Sequence, residues 1–419
     1  MPVISSFGSN NLNKIKDIDV KEIYNTQNTD KTKEVLNTLN LNEKLFYFKD
    51  EVYKLIKYDK EKLKKDDFKS IGLYRSVLCK NDKIVCFSPP KSLEIEDFIN
   101  SCDINRIQIE EFIDGTMINL FWTGSDWEIS TRSSLGANVS FYVMEEADRK
   151  EKTFRWMFLD AINFNEEKSN DEELSFFECV EKLPKNYCLS FVVQHPTNRI
   201  VVPHKEPRIN LVKCYEIDNN IISEKDVNDL RNILPKWVNY PLVYDMQIEE
   251  AIQNIDLKVN DYKNMGYVIS GIDEKNHNPI RTKLRNYNYE LVRKLRGNQP
   301  KLQFRYLMLH KEGKIKAYLE YYPEHNDIFL KYRDLLYNYT NNLFKLYRSC
   351  YVKKEKKLKE YSDEYRTNMF KLHELYLSEL IHKNKFVDKK IVIDYINNLE
   401  PALLMHCINY QYKKSINDI

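Results

Sequence analysis

The sequence predicts an α+β protein in which a domain of antiparallel sheets is followed by an all-helical domain. Two patterns and the composition predict it. From about residue 71 to residue 283, short runs rich in β-branched and aromatic residues alternate with turn residues. After residue 283 the strand signals stop and apolar residues recur with a 3.6-residue period. Hydrophobic residues make up 42% of the 419, enough for packed cores, and only 9 Gly and 13 Pro argue against low-complexity sequence.

Residues 1–66 are polar and lysine-rich, with short helical patterns at Val20 and Ile23 and at Val35, Leu36 and Leu39. They are expected to form an N-terminal helical extension. Residues 67–288 form the predicted sheet domain, with strands in SVLCK, KIVCFS, MINLFW, WEISTR, LSFVVQ, RIVVP, INLVKCYEI and GYVISGI. Lys80-Asn81-Asp82 and Thr123-Gly124-Ser125-Asp126 punctuate them as hairpin turns. Helices are expected at 143–163, 224–233 and 248–255 between strands. Residues 289–419 form the helical domain, with helices at 289–296, 328–347, 364–384 and 390–410.

The length suits two or three domains. A net charge of +2 excludes a global basic bias, so nucleic-acid contact would come from local patches. The 8 cysteines form no CxxC pair, which points to neither a zinc site nor a redox pair. With no signal peptide and no apolar run long enough for a bilayer, an intracellular chain with reduced thiols and no membrane partner is expected. The abundance of Asn, Lys, Ile and Tyr fits an AT-rich genome.

The most informative stretch is residues 109–122, IEEFIDGTMINLFW, in which a tight Asp114-Gly115-Thr116 turn joins two apolar runs. Three segments follow it. Residues 127–138, WEISTRSSLGAN, end a strand in a small-residue loop carrying Arg132. Residues 189–202, LSFVVQHPTNRIVV, set Pro196, Asn198 and Arg199 between two strands. Residues 265–270, MGYVIS, precede Lys283 and Arg285, which alternate on one face of a strand.

In this order the segments resemble the phage-type ATP-dependent RNA ligases of the lysine nucleotidyltransferase superfamily. The resemblance covers roughly residues 70–290, with the helical tail as weaker support. It implies an ATP-grasp-like, antiparallel-sheet nucleotidyltransferase domain. It also implies that Asp114, Gly115, Arg132, Asn198, Arg199, Lys283 and Arg285 bind nucleotide or phosphate. The family motif reads Lys-x-Asp-Gly, and its lysine takes the nucleotide covalently; here that position is Phe112. Two family carboxylates that serve the metal fall at Val192 and Met265.

These changes bear on the chemistry the resemblance implies, in which lysine attacks the α-phosphorus of ATP and AMP passes to an RNA 5′-phosphate. Phenylalanine has no lone pair to attack with. Val192 and Met265 offer no hard oxygen for Mg²⁺. No metal site is therefore expected, and ATP and Mg²⁺ enter only if the chain is active. Gln194 cannot supply the missing charge, and His195 before Pro196 reads as a structural histidine.

Lys91, after Pro89-Pro90, is the candidate for a relocated nucleophile, beside its reading as a solvated loop residue. In the tail, Arg293, Lys294, Arg296, Lys301 and Arg305 interleave with Tyr287, Phe304 and Tyr306, a pattern suited to RNA. The run KKEKKLK at 353–359 adds charge, although such a run is commonly a solvated face. The leading expectation is a degenerate RNA-ligase-like protein that binds RNA or nucleotide without forming a lysyl-adenylate. The alternatives are an active ligase using a lysine such as Lys91, and an assembly scaffold with protein partners. The composition together with a phage-type resemblance points to a viral or plasmid source.

Overall fold

The computed structural model describes residues 8–16, 18–26, 29–141, 153–169, 174–256 and 261–411. They divide into two compact units, residues 1–293 and 294–419.

The first unit begins with β1 (Ser9–Asn11), the short pair β2 (Lys14–Ile15) and β3 (Ile18–Asp19), and helix α1 (Asp30–Thr38), which Thr29 caps. Strands β4 (Leu41–Phe48), β5 (Glu51–Tyr58), β6 (Val77–Lys80) and β7 (Lys83–Phe87) then form a four-stranded antiparallel meander. Helix α2 (Ile95–Ile99) leads into β8 (Cys102–Glu111), β9 (Thr116–Trp122) and β10 (Trp127–Ser130). After α3 (Phe154–Lys168) and α4 (Phe176–Glu181) come β11 (Tyr187–Gln194), β12 (Arg208–Asp218), β13 (Ile221–Lys225) and β14 (Val243–Tyr244). Helix α5 (Ile248–Asp256), β15 (Gly266–Asp273), β16 (Pro279–Arg285) and α6 (Tyr287–Arg296) follow.

Two further sheets result, ordered β1-β13-β12-β11-β9-β10 and β14-β8-β15-β16, with every strand pair antiparallel. The meander packs on the six-stranded sheet through Phe87, whose ring meets Tyr215 edge-on at 5.0 Å. Helices α3 and α4 cover the other side, where Phe158, Phe176 and Phe191 form an aromatic core. Three hairpins turn on two left-handed residues each, Lys49-Asp50, Asn81-Asp82 and Asn219-Asn220. That geometry matches the twist of the strands they join.

The second unit contains α7 (Leu302–Lys311), α8 (Ile315–Tyr321), α9 (Asn326–Tyr347), α10 (Asp363–Leu375), α11 (Lys389–Asn398) and α12 (Pro401–Ile408). Leu336, Tyr339, Leu343 and Tyr347 of α9 are buried, as the 3.6-residue period requires. Helices α9 and α10 each end in a π-helical turn, Arg348–Val352 and Tyr376–Leu380.

The α+β class with a helical C-terminal region is the one the sequence predicts. Several elements differ. The strand expected at 199–203 does not form, because the Val201 and Val202 N–H groups donate to the Asp114 carboxylate instead of to a neighbouring strand. Residues 41–58 are not helical: they form β4 and β5 and bury Leu41, Tyr53, Leu55 and Ile56 in the meander core. Their lysines hid this, because Lys54 is buried beside Glu43 at 3.1 Å instead of facing water. The expected helix at 224–233 is the end of β13 followed by a single 3-10 turn, Val227–Leu230. The first part of the expected 143–163 helix lies outside the described residues, and α3 starts at Phe154. The expected 390–410 helix is two helices, with Pro401 opening the second.

Candidate functional site

The site grows from the end of β8. Pairing with β15 runs to Glu111, and the next backbone N–H, that of Phe112, donates to the Gly266 carbonyl at 2.9 Å. Gly266 has φ +122, and a Cβ there would lie 2.1 Å from the Leu284 carbonyl oxygen, so only glycine fits beside Phe112. The chain then turns at Asp114-Gly115 into β9. Asp114 is buried, and its carboxylate accepts from the N–H groups of Val201 (3.0 Å) and Val202 (2.8 Å) and from the Tyr289 hydroxyl (2.8 Å). Gln194 Nε2 donates to its carbonyl at 3.1 Å. The predicted nucleotide-binding carboxylate is thus engaged in fastening the turn to the segment after β11 and to α6. Gly115 is a close-approach glycine: a Cβ would stand 2.5 Å from the Val193 carbonyl oxygen and 2.7 Å from Val192 Cγ1.

Above Phe112 lies a group of cations. Strand β16 alternates Arg281, Lys283 and Arg285, and the Lys283 ammonium sits 4.4 Å from the centroid of the Phe112 ring. The Arg285 guanidinium is 5.5 Å from the same ring. Arg281 is buried; its Nε donates to the Pro90 carbonyl at 3.0 Å, and its Nη2 has no partner among the described residues. Arg75 reaches the Pro89 carbonyl at 3.4 Å. The Pro-Pro loop therefore orients two arginines, while Lys91 beside it lies over the Phe68 ring at 4.0 Å.

The electrostatics follow from this crowding. Burial, then Arg281, Arg75, Arg285 and Lys91, hold the Lys283 amine well below the ordinary lysine range. Burial, Arg281 and Arg132 bring Arg75 down to about 10. Lys91 is lowered mainly by burial, against the pull of Glu94. Of Arg75, Lys91, Arg281, Lys283 and Arg285, only Arg285 has a carboxylate partner among the described residues, Glu290 at 3.3 Å.

Beneath the cations is a cavity of about 50 Å³ whose lining includes Glu110, Glu111, Phe112, Val192, Lys213 and Lys283. Lys213 is buried on β12 and donates to Glu224 (2.7 Å), Ser270 Oγ (3.1 Å) and Glu110 (3.3 Å). These contacts join the six-stranded sheet to the β8–β15 sheet and keep the Lys213 amine charged, its pKa raised by the two carboxylates against burial.

The donor set does not fit a resident metal ion. Val192 is apolar and buried in the cavity wall; of the two lining carboxylates, Glu110 is engaged by Lys213, and Glu111 accepts from Leu242 N–H at 3.4 Å. Met265 is half-buried just before β15, its carbonyl accepting from Asn286 N–H at 3.1 Å, and is outside the cavity lining. Among the described residues no group of three or more His, Cys, Asp or Glu could hold a metal.

Of the residues singled out in the sequence, Lys283 and Arg285 meet at Phe112, and Lys91 lies within electrostatic reach of them. Arg132 is exposed, with its guanidinium 5.5 Å from the Tyr58 ring. Asn198 is buried and donates to Thr116 Oγ1 at 2.9 Å, so it holds the start of β9. Arg199 Nε donates to the Val201 carbonyl at 2.9 Å. His195 bonds Asp160 at 3.0 Å and caps the next turn by accepting from Thr197 N–H, a structural histidine as expected.

The tail candidates separate in the same way. Arg293 pairs with Glu290 at 2.6 Å. Arg305 is buried and donates to the Leu295 carbonyl at 2.9 Å and the Lys294 carbonyl at 3.0 Å, and Arg296 is also buried. This corrects the expectation that these two face RNA: both are buried, and the Arg305 guanidinium closes the C-terminal end of α6. Lys294 and Lys301 are exposed.

Sequence reasoning missed Arg75 and Arg281. For Arg281 the signal was present, since Arg281-Thr282-Lys283-Leu284-Arg285 alternates three cations along one strand. For Arg75 no local pattern pointed to the cleft.

No family model matches the chain. An RNA ligase of Rhodothermus phage RM378 is 30% identical over 113 residues, which cover 27% of this chain and 24% of that protein. The chain thus matches about a quarter of the length of that curated relative. Among solved structures, an archaeal ATP-dependent RNA ligase aligns over 94% of this chain and 99% of its own, with 10% identity and a TM-score of 0.39. An RNA ligase of Naegleria gruberi with PPi aligns over 50% of this chain and 58% of its own, with 13% identity and a TM-score of 0.33. Superpositions this loose carry no argument about the site. The chain resembles RNA-ligase-type nucleotidyltransferases.

Proposed function

We propose that this chain is a degenerate RNA-ligase-like protein that holds RNA or a nucleotide by its phosphates at the Phe112 cleft and forms no lysyl-adenylate. The observation that carries this reading is the set Arg75, Lys91, Arg281 and Lys283, four cations with no carboxylate partner among the described residues. Like charges held together in a partly dry cleft repel one another. A phosphate that enters relieves that repulsion and satisfies the buried Nη2 of Arg281. Phe112 cannot form a phosphoramidate, and the apolar Val192 and Met265 leave a metal without its ligands.

The test measures RNA and ATP affinity as a function of salt in the wild type, Arg281→Ala and Lys283→Ala. The proposal expects weaker binding in both variants and a shallower salt dependence. Parallel incubation with α-phosphate-labelled ATP or GTP and Mg²⁺ is expected to leave no acid-labile, base-stable label.

One observation favours a second reading, an active ATP-dependent RNA ligase with a relocated lysine. The amine beside Phe112 belongs to Lys283, whereas Lys91 Nζ bonds the Ser92 carbonyl at 3.2 Å and covers Phe68. A covalent label lost in Lys283→Arg and kept in Lys91→Ala would establish that reading. Label lost in Lys91→Ala instead would make Lys91 the nucleophile. Neither label nor binding would leave the fold serving as a protein-interaction scaffold.

A further inference from the structure

The run of lysines at 353–359 has no part in the cleft. It follows the π-helical turn at the end of α9, where Lys354 adopts a left-handed φ of 55 and turns the chain. The loop is pinned from below: Glu355 N–H donates to the Ser349 carbonyl at 2.9 Å, and Ser349 Oγ meets the Tyr361 hydroxyl at 2.7 Å. Its lysines are therefore presented on a fixed turn, and Lys353, Lys354, Lys356, Lys357 and Lys359 are all exposed. From Arg348 to Glu360 six cations face two carboxylates, Glu355 and Glu360. Glu355 is engaged by Ser349 and by Lys353 at 3.3 Å. Among the described residues Lys354, Lys356, Lys357 and Lys359 have no ion-pair partner.

Beside this loop three partly exposed rings stack, with the buried Tyr347 packed against Tyr351 at 5.3 Å and 37°. Tyr351, in the first π-helical turn, lies on His373 of α10 with centroids 3.9 Å apart and planes 16° apart. His373 in turn stacks on Tyr376, which opens the second π-helical turn, at 5.8 Å and 21°. All three rings are half-exposed, and the apolar side chains next to the outer two, Val352 (61%) and Leu377 (52%), project into solvent. Burial lowers the His373 pKa, so near neutral pH the ring is an uncharged, flat stacking surface.

We infer that the helical unit carries a surface for single-stranded nucleic acid, formed by the Tyr351–His373–Tyr376 stack and the loop lysines 353–359. The partly exposed edges of these rings are where an unpaired base can stack, and the cations beside them take the flanking phosphates. The rings favour this ligand over an acidic peptide or an anionic lipid surface, which would use the charges alone. The inference stands apart from the Phe112 cleft, because every group it invokes lies within residues 348–377.

The experiment follows the fluorescence anisotropy of a 5′-fluorescein oligouridylate of roughly ten nucleotides with the full chain. The exposed triple variant Lys354→Glu/Lys356→Glu/Lys357→Glu is expected to weaken binding more than about tenfold and to lower the log-log salt slope by about 2. His373→Ala and Tyr376→Ala are each expected to weaken it about tenfold at unchanged salt slope. Photo-crosslinking with a 5-iodouridine oligomer checks the rings without a mutation, and its adducts should map to the peptides carrying Tyr351 or Tyr376. ATP binding, which the proposed function assigns to the cleft, is expected to be unchanged in the Lys354→Glu/Lys356→Glu/Lys357→Glu variant, so failure at the cleft and failure here are distinguishable. Unchanged affinity in the triple variant would overturn the inference. So would equal affinity for duplex RNA, displacement of the oligomer by phosphatidylserine vesicles, or ring variants that bind like wild type while crosslinks map elsewhere.

Discussion

The ammonium of Lys283 stands 4.4 Å above the ring of Phe112, at the position where the resembled family has its lysine nucleophile. Lys283 has no carboxylate partner among the described residues, and its charge is opposed by burial and by Arg281, Arg75, Arg285 and Lys91. The interaction that remains to it is with the π face of Phe112. An apolar residue at 112 thus coexists with a cation above it that is poorly neutralised by the protein.

This pair has a pH signature. The folded-state pKa of Lys283 is depressed below that of the unfolded chain. Between that depressed value and the ordinary lysine range near about 10.4, the unfolded state binds more protons, so the contribution to stability rises with pH. Lys283→Met is expected to gain stability over the wild type, most at the acid end of the window and little above it. Urea midpoints of both proteins between roughly pH 6 and pH 10 check this. A difference that grows with rising pH would contradict it.

Asp114 is expected to matter for stability irrespective of ligand. Replacing it with Asn presents an amide N–H₂ to some of three donors, Val201 N–H, Val202 N–H and Tyr289 O–H. The expected loss is about 2–3 kcal/mol, with about 1 kcal/mol for Tyr289→Phe. Chemical denaturation of the singles and the double should show less than additive losses, since both remove the same bond.

Lys213 neutralises two buried carboxylates, so its truncation leaves them unpaired. Lys213→Met is expected to cost about 3–5 kcal/mol. Replacing Lys213, Glu110 and Glu224 together with apolar residues should cost less than Lys213→Met alone, which thermal unfolding of the two variants compares directly.

Gly115→Ala is expected to destabilise by about 1–3 kcal/mol. The new methyl would meet the Val193 backbone, which cannot rotate away as a side-chain end would. Val192→Ala in the same chain removes one of the two clashing groups and should recover only part of the loss, read from the melting temperature.

The sequence by itself determined the class of the fold and the identity of the turn. Alternation, paired turn residues such as Asn81-Asp82 and the later 3.6-residue period are local properties, and local backbone preference with one-sided burial is sufficient to set them. It also determined that position 112 carries no nucleophile, because that is a matter of side-chain chemistry. It misread residues 41–58 as part of an N-terminal helical extension, because whether a lysine faces water or a buried glutamate depends on which strand lies next to it. Tertiary structure alone decided what the polar residues do. Asp114 and Arg305 carry charge in the sequence as Lys283 does, yet the first two are bound to backbone groups far along or across the chain. Arg75 came to the cleft through the carbonyl of Pro89, and Arg281 through that of Pro90. A charge becomes available to a ligand only where folding brings no opposite charge to it, and that depends on residues far apart in sequence. The proposed site at Phe112 rests on that relationship, on Arg75, Lys91, Arg281 and Lys283, which have no carboxylate partner among the described residues.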